Sequence, residues 1–453
     1  MRASRLTAIG FWLISAGLHP VAAQVIQSPQ GSTRGVFGTA GSQATGAPVF
    51  AMTFDGDGGY DDNSVDGSDD ASSQFFAFQS GLVSTGSASA RFQAGTTERY
   101  VLGLASGGIT AQQVRRGDRF FRQWRSSASL QAVAPLGRRS GFSASAGMSY
   151  DPTFVFGAFD SVDRNGVEDN PLEPDPALTP DPTLSLTSQR WLTRRIGAGA
   201  FRNWTPRQRT NVDYSGLWLR PSEGPGIQNR TNSTVVTHAW SLSATTGLDA
   251  VYRLDRWTLT QEGTAGSPIN AHTVEGRFRH ERRLSPTRSA AFVAGGGAVA
   301  LDDTQQADRD LLDQVSPTVS ASIQLNFQPT WSVALGARRD VTVLGALSAE
   351  PFEAKSVTLS LETTPTRRFS AGATAAYSDG GASRSSTGGF TQASANARLQ
   401  YAFGPSFGAT VSYAYGHYRL RDVDVALAGA PSQFGRHSVR VGFTYWLPLY
   451  GTF

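Results

Sequence analysis

Carboxylates cluster near the start of the sequence in a pattern that could bind a cation. Asp55, Asp57 and Asp61 lie among glycines, as in the first half of a calcium-binding loop. The sixth position of that loop is Tyr60 instead of glycine, and the twelfth is Asp66 instead of a bidentate glutamate. The sequence therefore predicts no metal site or cofactor beyond these three candidate ligands.

Motifs for covalent or hydrolytic chemistry are incomplete. His280-Glu281 begins the zinc-binding pattern H-E-x-x-H, but Leu284 occupies the second histidine position. Gly141–Ser145 lacks the last glycine of a nucleophile elbow. The absence of cysteine excludes thiol catalysis, disulfides and iron–sulfur clusters. We predict that the protein is not an enzyme.

Two-residue periodicity indicates the elements that would position polar groups. In 316–327, Val319, Ala321, Ile323 and Leu325 lie on one face, and Ser, Thr, Gln and Asn occupy the other. This alternation is typical of a strand with one apolar face. Charged residues make up only 17% of the chain, against roughly 25% in ordinary soluble domains.

The connections between these runs alternate between short turns and long polar loops, which is typical of consecutive antiparallel hairpins. One predicted short turn is Leu254-Asp255-Arg256. The predicted strands lie near 47–57, 72–83, 87–105, 119–135, 140–156, 184–204, 209–221, 234–253, 256–263, 272–284, 288–301, 316–327, 331–342, 354–364, 368–379, 390–402, 407–421 and 436–447.

The fold class predicted is all-β: a transmembrane antiparallel up-and-down β-barrel of about 18 strands, with 16 as the alternative. Short turns would be periplasmic and long loops extracellular. A soluble sandwich, propeller or β-helix would also alternate. Aromatic residues such as Trp331, Phe369, Phe407 and Tyr413 lie near the ends of apolar faces, however, as in the aromatic girdles of membrane barrels.

Strand parity predicts a polar, charged lumen. Two interpretations are open: the side chains form a selectivity ladder for ions or sugars, or they pair with each other across neighbouring strands. The predicted lumen-lining residues are Arg125, Glu275, Arg277, Arg279, Glu281, Arg338, Asp340, Glu362, Arg398 and Arg440. The acidic, proline-containing loop at 158–182 could fold into the pore, bind divalent ions or remain solvated.

The N-terminus has the pattern of a secretory signal peptide. Arg2 and Arg5 precede an apolar run, and Val21-Ala22-Ala23 suits cleavage by signal peptidase. We predict a cleaved signal peptide at 1–23, a flexible segment at 24–45 and an outer-membrane barrel at 46–453.

The C-terminus resembles the last strand of Gram-negative outer-membrane proteins, because apolar residues alternate up to a terminal aromatic. The resemblance implies that Tyr445, Leu447 and Phe453 form an assembly signal read by the barrel assembly machinery. Gly59–Asn63 is similar to the first strand of putative β-barrel porin families, some of which resemble outer-membrane proteins from exopolysaccharide loci. That resemblance implies solute or polysaccharide passage.

The function expected is a porin-like channel in the cell outer membrane for passive passage of small hydrophilic solutes. The alternatives are a barrel for exopolysaccharide export or binding, and a structural or adhesive barrel with a blocked lumen. Expected partners are outer-membrane lipid and lipopolysaccharide, the assembly machinery, and small solutes or glycan. The formal charge of +4 is too small to indicate nucleic-acid binding.

Overall fold

The structure is a closed barrel of antiparallel strands. The computed structural model describes residues 48–66, 80–95, 99–114, 120–152, 190–221, 228–260, 268–285, 287–303, 315–327, 330–343, 351–366, 368–382, 389–421 and 433–450. Each strand pairs with the next along the chain, and the last pairs with the first in an 18-stranded sheet. The predicted fold class and the count of 18 strands are confirmed. No helix in these ranges is long and apolar enough to cross a membrane.

The strands are numbered in chain order. Their bounds are β1 Val49–Asp66, β2 Gly81–Gly95, β3 Tyr100–Val114, β4 Phe120–Pro135, β5 Ser140–Pro152, β6 Arg190–Thr205, β7 Gln208–Pro221, β8 Gln228–Ser241, β9 Thr246–Thr260, β10 Pro268–Ser285, β11 Arg288–Asp303, β12 Val315–Phe327, β13 Trp331–Val343, β14 Pro351–Thr366, β15 Phe369–Ala382, β16 Gly389–Ala402, β17 Phe407–Arg421 and β18 Gln433–Tyr450.

Alternation along each strand separates an outer apolar face from an inner polar face. On β18, Val439, Val441 and Phe443 are exposed on the outside, whereas Ser438 and Arg440 are buried inside. Successive side chains of a strand point to opposite faces, so the two-residue period of the sequence becomes the two surfaces of the wall. The barrel shape follows because every strand edge finds a partner.

Short turns join the strands at one end of the barrel. Leu136–Arg139 joins β4 to β5, Pro206–Arg207 joins β6 to β7, and Phe403–Ser406 joins β16 to β17. β5 ends at Pro152 and β6 begins at Arg190, both at the other end of the barrel. The interval 153–189, the expected signal peptide and the segment 24–45 are outside the described residues. The short-turn end is the periplasmic end by the rule for bacterial barrels.

Two pairs of predicted strands are wrong. The strands predicted at 72–83 and 87–105 correspond to β2 and β3, which begin and end later in the chain than predicted. The strands predicted at 234–253 and 256–263 are β8 and β9, which meet at Leu242–Thr245. The expected turn at Leu254-Asp255-Arg256 is a continuous part of β9. Asp255 is 8% exposed and points inward, so its polarity reflects the charged interior and not a turn.

Closure brings residues from opposite ends of the sequence together. β1 and β18 pair continuously from Ala51 opposite Pro448 to Asp66 opposite Gln433. On the inner side, the Arg436 guanidinium donates to the Asp61 carboxylate, and both side chains are almost fully buried. The Thr444 hydroxyl donates to Asp55 Oδ1 at 2.6 Å. These contacts fix which residues of β1 and β18 face each other.

Replacing Asp61 by asparagine should destabilise the barrel by about 3–5 kcal/mol, because it leaves the buried Arg436 charge without its carboxylate partner. The measurement is denaturant unfolding in detergent, followed by tryptophan fluorescence. Asp62→Asn is the control, since exposed Asp62 contacts only the Ser80 hydroxyl among its described partners, and it should change stability by less than about 1 kcal/mol. Equal effects of the two substitutions would contradict the structural importance of the buried pair.

Candidate functional site: the charged interior of the barrel

One group of charges links β9, β10 and β13 inside the barrel. Arg253 Nε lies 2.9 Å from Asp255 Oδ2 on its own strand, and Arg253 Nη2 lies 2.7 Å from Asp340 Oδ2 on β13. Arg338 also contacts Asp340. We call the set Arg253, Asp255, Glu275, Arg277, Arg338 and Asp340 the β9–β13 cluster. Because β10, β11 and β12 separate β9 from β13 in the sheet, this contact crosses part of the lumen.

Arg253 and Asp340 can meet across the lumen because the end of β13 departs from the barrel wall. Pairing between β12 and β13 ends at Val319 opposite Arg339, whereas β13 stays paired with β14 as far as Val343. Asp340 and the residues after it are thus free of β12 and lean inward. Val341, only 2% exposed, joins a buried apolar cluster above the charges, with Trp257, Ile269, Ala271, Val299 and Leu301. The β13–β14 hairpin therefore narrows the lumen.

The β10 side of the lumen is lined by paired charges. Arg277 Nη2 lies 2.7 Å from Glu275 Oε2, and Glu275 is 4% exposed. Below them, Arg279 Nε lies 2.6 Å from Asp249 Oδ2. Arg277 lies flat across β11 because position 295 is glycine: a Cβ there would stand 2.8 Å from Arg277 Cγ and 3.1 Å from the Gly276 carbonyl oxygen. The glycine makes room for the arginine against the wall.

A second charged group lies on the first and last strands, and we call Asp55, Asp57, Asp61, Arg436 and Arg440 the seam cluster. Arg440 Nη1 is 3.5 Å from Asp57 Oδ1, and Arg440 Nη2 is 3.9 Å from Asp61 Oδ1. Thr85 on β2 donates its hydroxyl hydrogen to Asp57. The seam cluster therefore binds three neighbouring strands to one another.

Two arginines from more distant strands approach the seam cluster. Arg398 on β16 and Arg125 on β4 both interact electrostatically with Asp55. Arg125 crosses β3 over Gly108, where a Cβ would stand 3.0 Å from its Nε. Arg125 thus reaches over β3 toward the seam, and Asp55 interacts with positive charges from strands on both sides of it.

The two groups face each other across the barrel. Counting around the sheet, β9 and β10 lie half a circumference from β18 and β1. Each group combines arginines with carboxylates in nearly equal numbers, and many of these side chains are buried. Close opposite charges compensate the cost of removing each other from water. A solute passing along the axis meets hydrogen-bonding groups on both sides and little net field.

The predicted lumen residues fall into three sets. Glu275, Arg277, Arg338 and Asp340 belong to the β9–β13 cluster, with Arg279 directly below. Arg440 belongs to the seam cluster, and Arg125 and Arg398 approach it. Glu281 and Glu362 lie nearer the short-turn end, on β10 and β14. Sequence reasoning missed Arg253, Asp255 and Arg436. The two-residue alternation of their strands places all three inward and could have identified them. The wrong boundary between β8 and β9, however, obscured Arg253 and Asp255.

The candidate metal ligands lie along an extended strand. Side chains of Asp55 and Asp61 are about 20 Å apart along β1, at about 3.3 Å per residue, so the segment does not wrap as a calcium loop. Arginine and threonine side chains contact all three aspartates. Within the described ranges, no group of His, Asp or Glu is arranged to hold a metal ion.

Of the predicted assembly residues, Tyr445 is 42% exposed on the outer face of β18 and Leu447 lies on the same strand. Phe453 lies outside the described residues. Their recognition by the assembly machinery stays a prediction.

The outer surface decides the environment of the barrel. Large apolar side chains are widely exposed there, among them Val274 at 60%, Val441 at 59% and Leu130 at 53%. Aromatic rings gather toward the short-turn end, where Phe403 and Phe407 stack at 5.7 Å. A closed sheet with this exterior has satisfied backbone groups and a lipid-compatible surface. The chain is an outer-membrane β-barrel.

Comparisons with known proteins add the following. No protein-family model matches the sequence, and no curated protein matches it. Among solved structures, OccAB4 of Acinetobacter baumannii is similar with a TM-score of 0.41 and 11% identity, over 88% of this chain and 98% of that one. OccK7 (OpdD) of Pseudomonas aeruginosa is similar with a TM-score of 0.44 and 12% identity, over 89% and 100%. OpdK of Pseudomonas aeruginosa, crystallised with vanillate, gives 0.42 and 11%, over 88% and 98%.

A double-mutant cycle between Arg253→Gln and Asp340→Asn should give a coupling free energy above about 1 kcal/mol, because the two groups are desolvated and in direct contact. Denaturant unfolding of the wild type, both single variants and the double variant measures it.

The control cycle pairs Arg421→Gln with Asp379→Asn. That ion pair spans 3.0 Å, but its side chains are 52% and 43% exposed. Its coupling should stay within about 0.2–1 kcal/mol. Independent effects of Arg253→Gln and Asp340→Asn would show that β13 does not lean onto β9.

Proposed function

We propose that the protein is a channel for passive diffusion of small hydrophilic solutes across the outer membrane. The observation that carries this proposal is the inner wall, where paired arginines and carboxylates replace the apolar packing of a soluble core. Barrels of this strand number enclose an aqueous lumen. Passage requires no catalytic group, so the role of the charged residues is to select and orient solutes.

The geometry supports a constriction between the β9–β13 cluster and the seam cluster. Inward lean of β13 reduces the lumen on one side, and the long side chains of Arg398 and Arg125 approach Asp55 on the other. A solute must pass guanidinium donors and carboxylate acceptors within a short length of the channel. Small polar or zwitterionic solutes fit such a mixed surface, since each of their charges finds an opposite charge nearby.

A barrel with a blocked lumen is the second candidate. It is favoured by the apolar cluster around Trp257 and Val341, which occupies space inside the barrel directly above the charges. The same lean of β13 that narrows the channel would, if extended, close it. An open channel conducts ions and a blocked barrel does not, so one measurement separates the two.

Passage or binding of exopolysaccharide is a narrower role suggested by the resemblance of Gly59–Asn63. A glycan channel is expected to offer exposed aromatic rings on which sugars stack. On the inner face, Trp257 and Trp446 are 6% and 5% exposed, so these two rings offer little surface for that purpose, and the Arg209 guanidinium covers the Phe201 ring at 4.0 Å. These rings therefore favour small solutes.

Purified protein in a planar bilayer should show stable, stepwise conductance. In a salt gradient the reversal potential should be small, because the described lumen charges are nearly balanced. Asp55→Asn with Asp57→Asn should shift selectivity toward anions, since Arg398 and Arg125 then lose their counter-charges. Correctly folded barrel without conductance would exclude the channel and favour the blocked lumen. Conductance with no shift in the variant would place the selective charges elsewhere.

Gly295→Ala should lower single-channel conductance without changing charge, because the new Cβ displaces Arg277 from the wall into the lumen. Gly296→Ala is the matched control: it lies one position along β11 on the outer face, where the nearest atom to a new Cβ is 3.7 Å away. Equal conductance in the two variants would show that Arg277 does not limit the channel.

A further inference from the structure

The outer wall carries four arginines at the extracellular ends of four adjacent strands. Arg194 on β6, Arg220 on β7, Arg230 on β8 and Arg256 on β9 are all exposed and all outward by strand parity. We call them the outer arginine row. Trp218 on β7 pairs with Arg194 on one side and Arg230 on the other. These four side chains thus form one continuous patch across neighbouring strands.

The row lies at the outer boundary of the membrane. On β6, Arg194 and the exposed Trp204 both point outward, and Trp204 lies near the short-turn end. On β8, Arg230 and Trp240 also point outward, and Trp240 lies near the short-turn end. Each tryptophan is ten positions from its arginine in the sequence. At about 3.3 Å per residue and a strand tilt near 40°, the arginines stand about 25 Å above the tryptophans. That height matches an apolar band of about 25 Å.

The row has no carboxylate partner among the described residues, unlike two arginines at the extracellular ends of other strands. At the extracellular ends of other strands, Arg339 pairs with Glu353 at 2.6 Å and Arg421 with Asp379 at 3.0 Å. Among the described strand residues, Asp302 on β11, opposite Asn270 of β10, is the nearest outward acid in the pairing order, and β10 separates it from Arg256. The row is therefore a concentration of positive charge at the lipid interface.

Polar groups continue below the row toward the membrane. The Tyr214 hydroxyl donates to Asn232 Oδ1 at 3.0 Å, and Tyr252 and His272 share a hydrogen bond of 2.9 Å. Asn232 pairs directly with Arg256 across β8 and β9. Farther around the barrel, outward residues of β12–β14 such as Val319, Leu335 and Val357 are apolar and exposed. This side of the wall thus offers hydrogen-bonding groups beneath the cations.

We propose that the outer arginine row is a binding site for the lipid A part of lipopolysaccharide. Lipid A carries phosphates on a disaccharide, with amide and ester carbonyls directly below and acyl chains beneath them. Guanidinium groups bind phosphate through paired N–H donors, and Trp218, whose ring is 5.6 Å from the Arg230 guanidinium, restricts one of them. The phosphates bind the row, the carbonyls reach Asn232 and Tyr214, and the acyl chains cover the apolar wall.

The test compares a triple variant with a matched triple control. The variant Arg194→Gln, Arg230→Gln and Arg256→Gln removes most of the row. The control Arg202→Gln, Arg282→Gln and Arg288→Gln makes the same charge change with exposed outward arginines at the short-turn end. Native mass spectrometry of the full protein in detergent measures binding of bis-phosphorylated lipid A and of dephosphorylated lipid A. Folding of each variant is checked by heat-dependent gel mobility.

Wild type and control should bind bis-phosphorylated lipid A at least about tenfold more tightly than the dephosphorylated lipid, and the row variant should lose that preference. Retained preference in a folded row variant would overturn the proposal. So would a change in the number of chains per particle in the row variant alone, since that would make the row an interface between copies. Channel conductance should be the same in all three proteins, which separates this proposal from the diffusion function.

Discussion

Closure of the sheet is the constraint on which the rest of the structure depends. In lipid, an open strand edge would leave a row of backbone N–H and C=O groups without partners. β1 and β18 remove that edge, although they come from opposite ends of the sequence. Asp61 with Arg436, Asp57 with Arg440 and Asp55 with Thr444 repeat along this boundary. A shift of register would separate these pairs, so polar side chains inside the barrel specify how its wall closes.

The same pairs make the interior polar, and this links stability to function. A soluble barrel could fill its centre with apolar side chains and close its wall by packing. Here the wall encloses space, and buried charges such as Glu275 are compensated by arginines on the same or neighbouring strands. Those compensated charges form the surface that a solute would meet. The same charged residues therefore stabilise the barrel wall and form the selective surface of the channel.

Sequence patterns predicted the fold well where inner positions carry small polar residues. β12 to β17 follow the expected alternation closely, because Ser, Thr and Asn on the inner face contrast with Val, Leu and aromatic residues outside. Prediction failed at the boundary between β8 and β9, because charged residues occupy both faces of β9. Asp255 points inward and Arg256 outward, so their polarity was interpreted as a turn.

The charged interior was predictable by residue but not by contact. Parity identified Arg338 and Asp340 as inward. Parity could not show that β13 separates from β12 after Arg339, which brings Asp340 to Arg253 across three strands. The outer arginine row was missed for a related reason, since the predicted boundaries placed Arg230 in a loop and Arg256 in a turn. Correct boundaries would have placed both on the outer face.

Glycines beneath the inner arginines affect how the width of the lumen can change by substitution. Arg277 lies over Gly295 and Arg125 over Gly108, so the width of the passage depends partly on positions that carry no side chain at all. A single added methyl group alters calibre and leaves the electrostatic field almost as it was. A substitution of an inner carboxylate does the reverse. Size and charge exclusion are thus set by separate positions, and a lineage could adjust one while conserving the other.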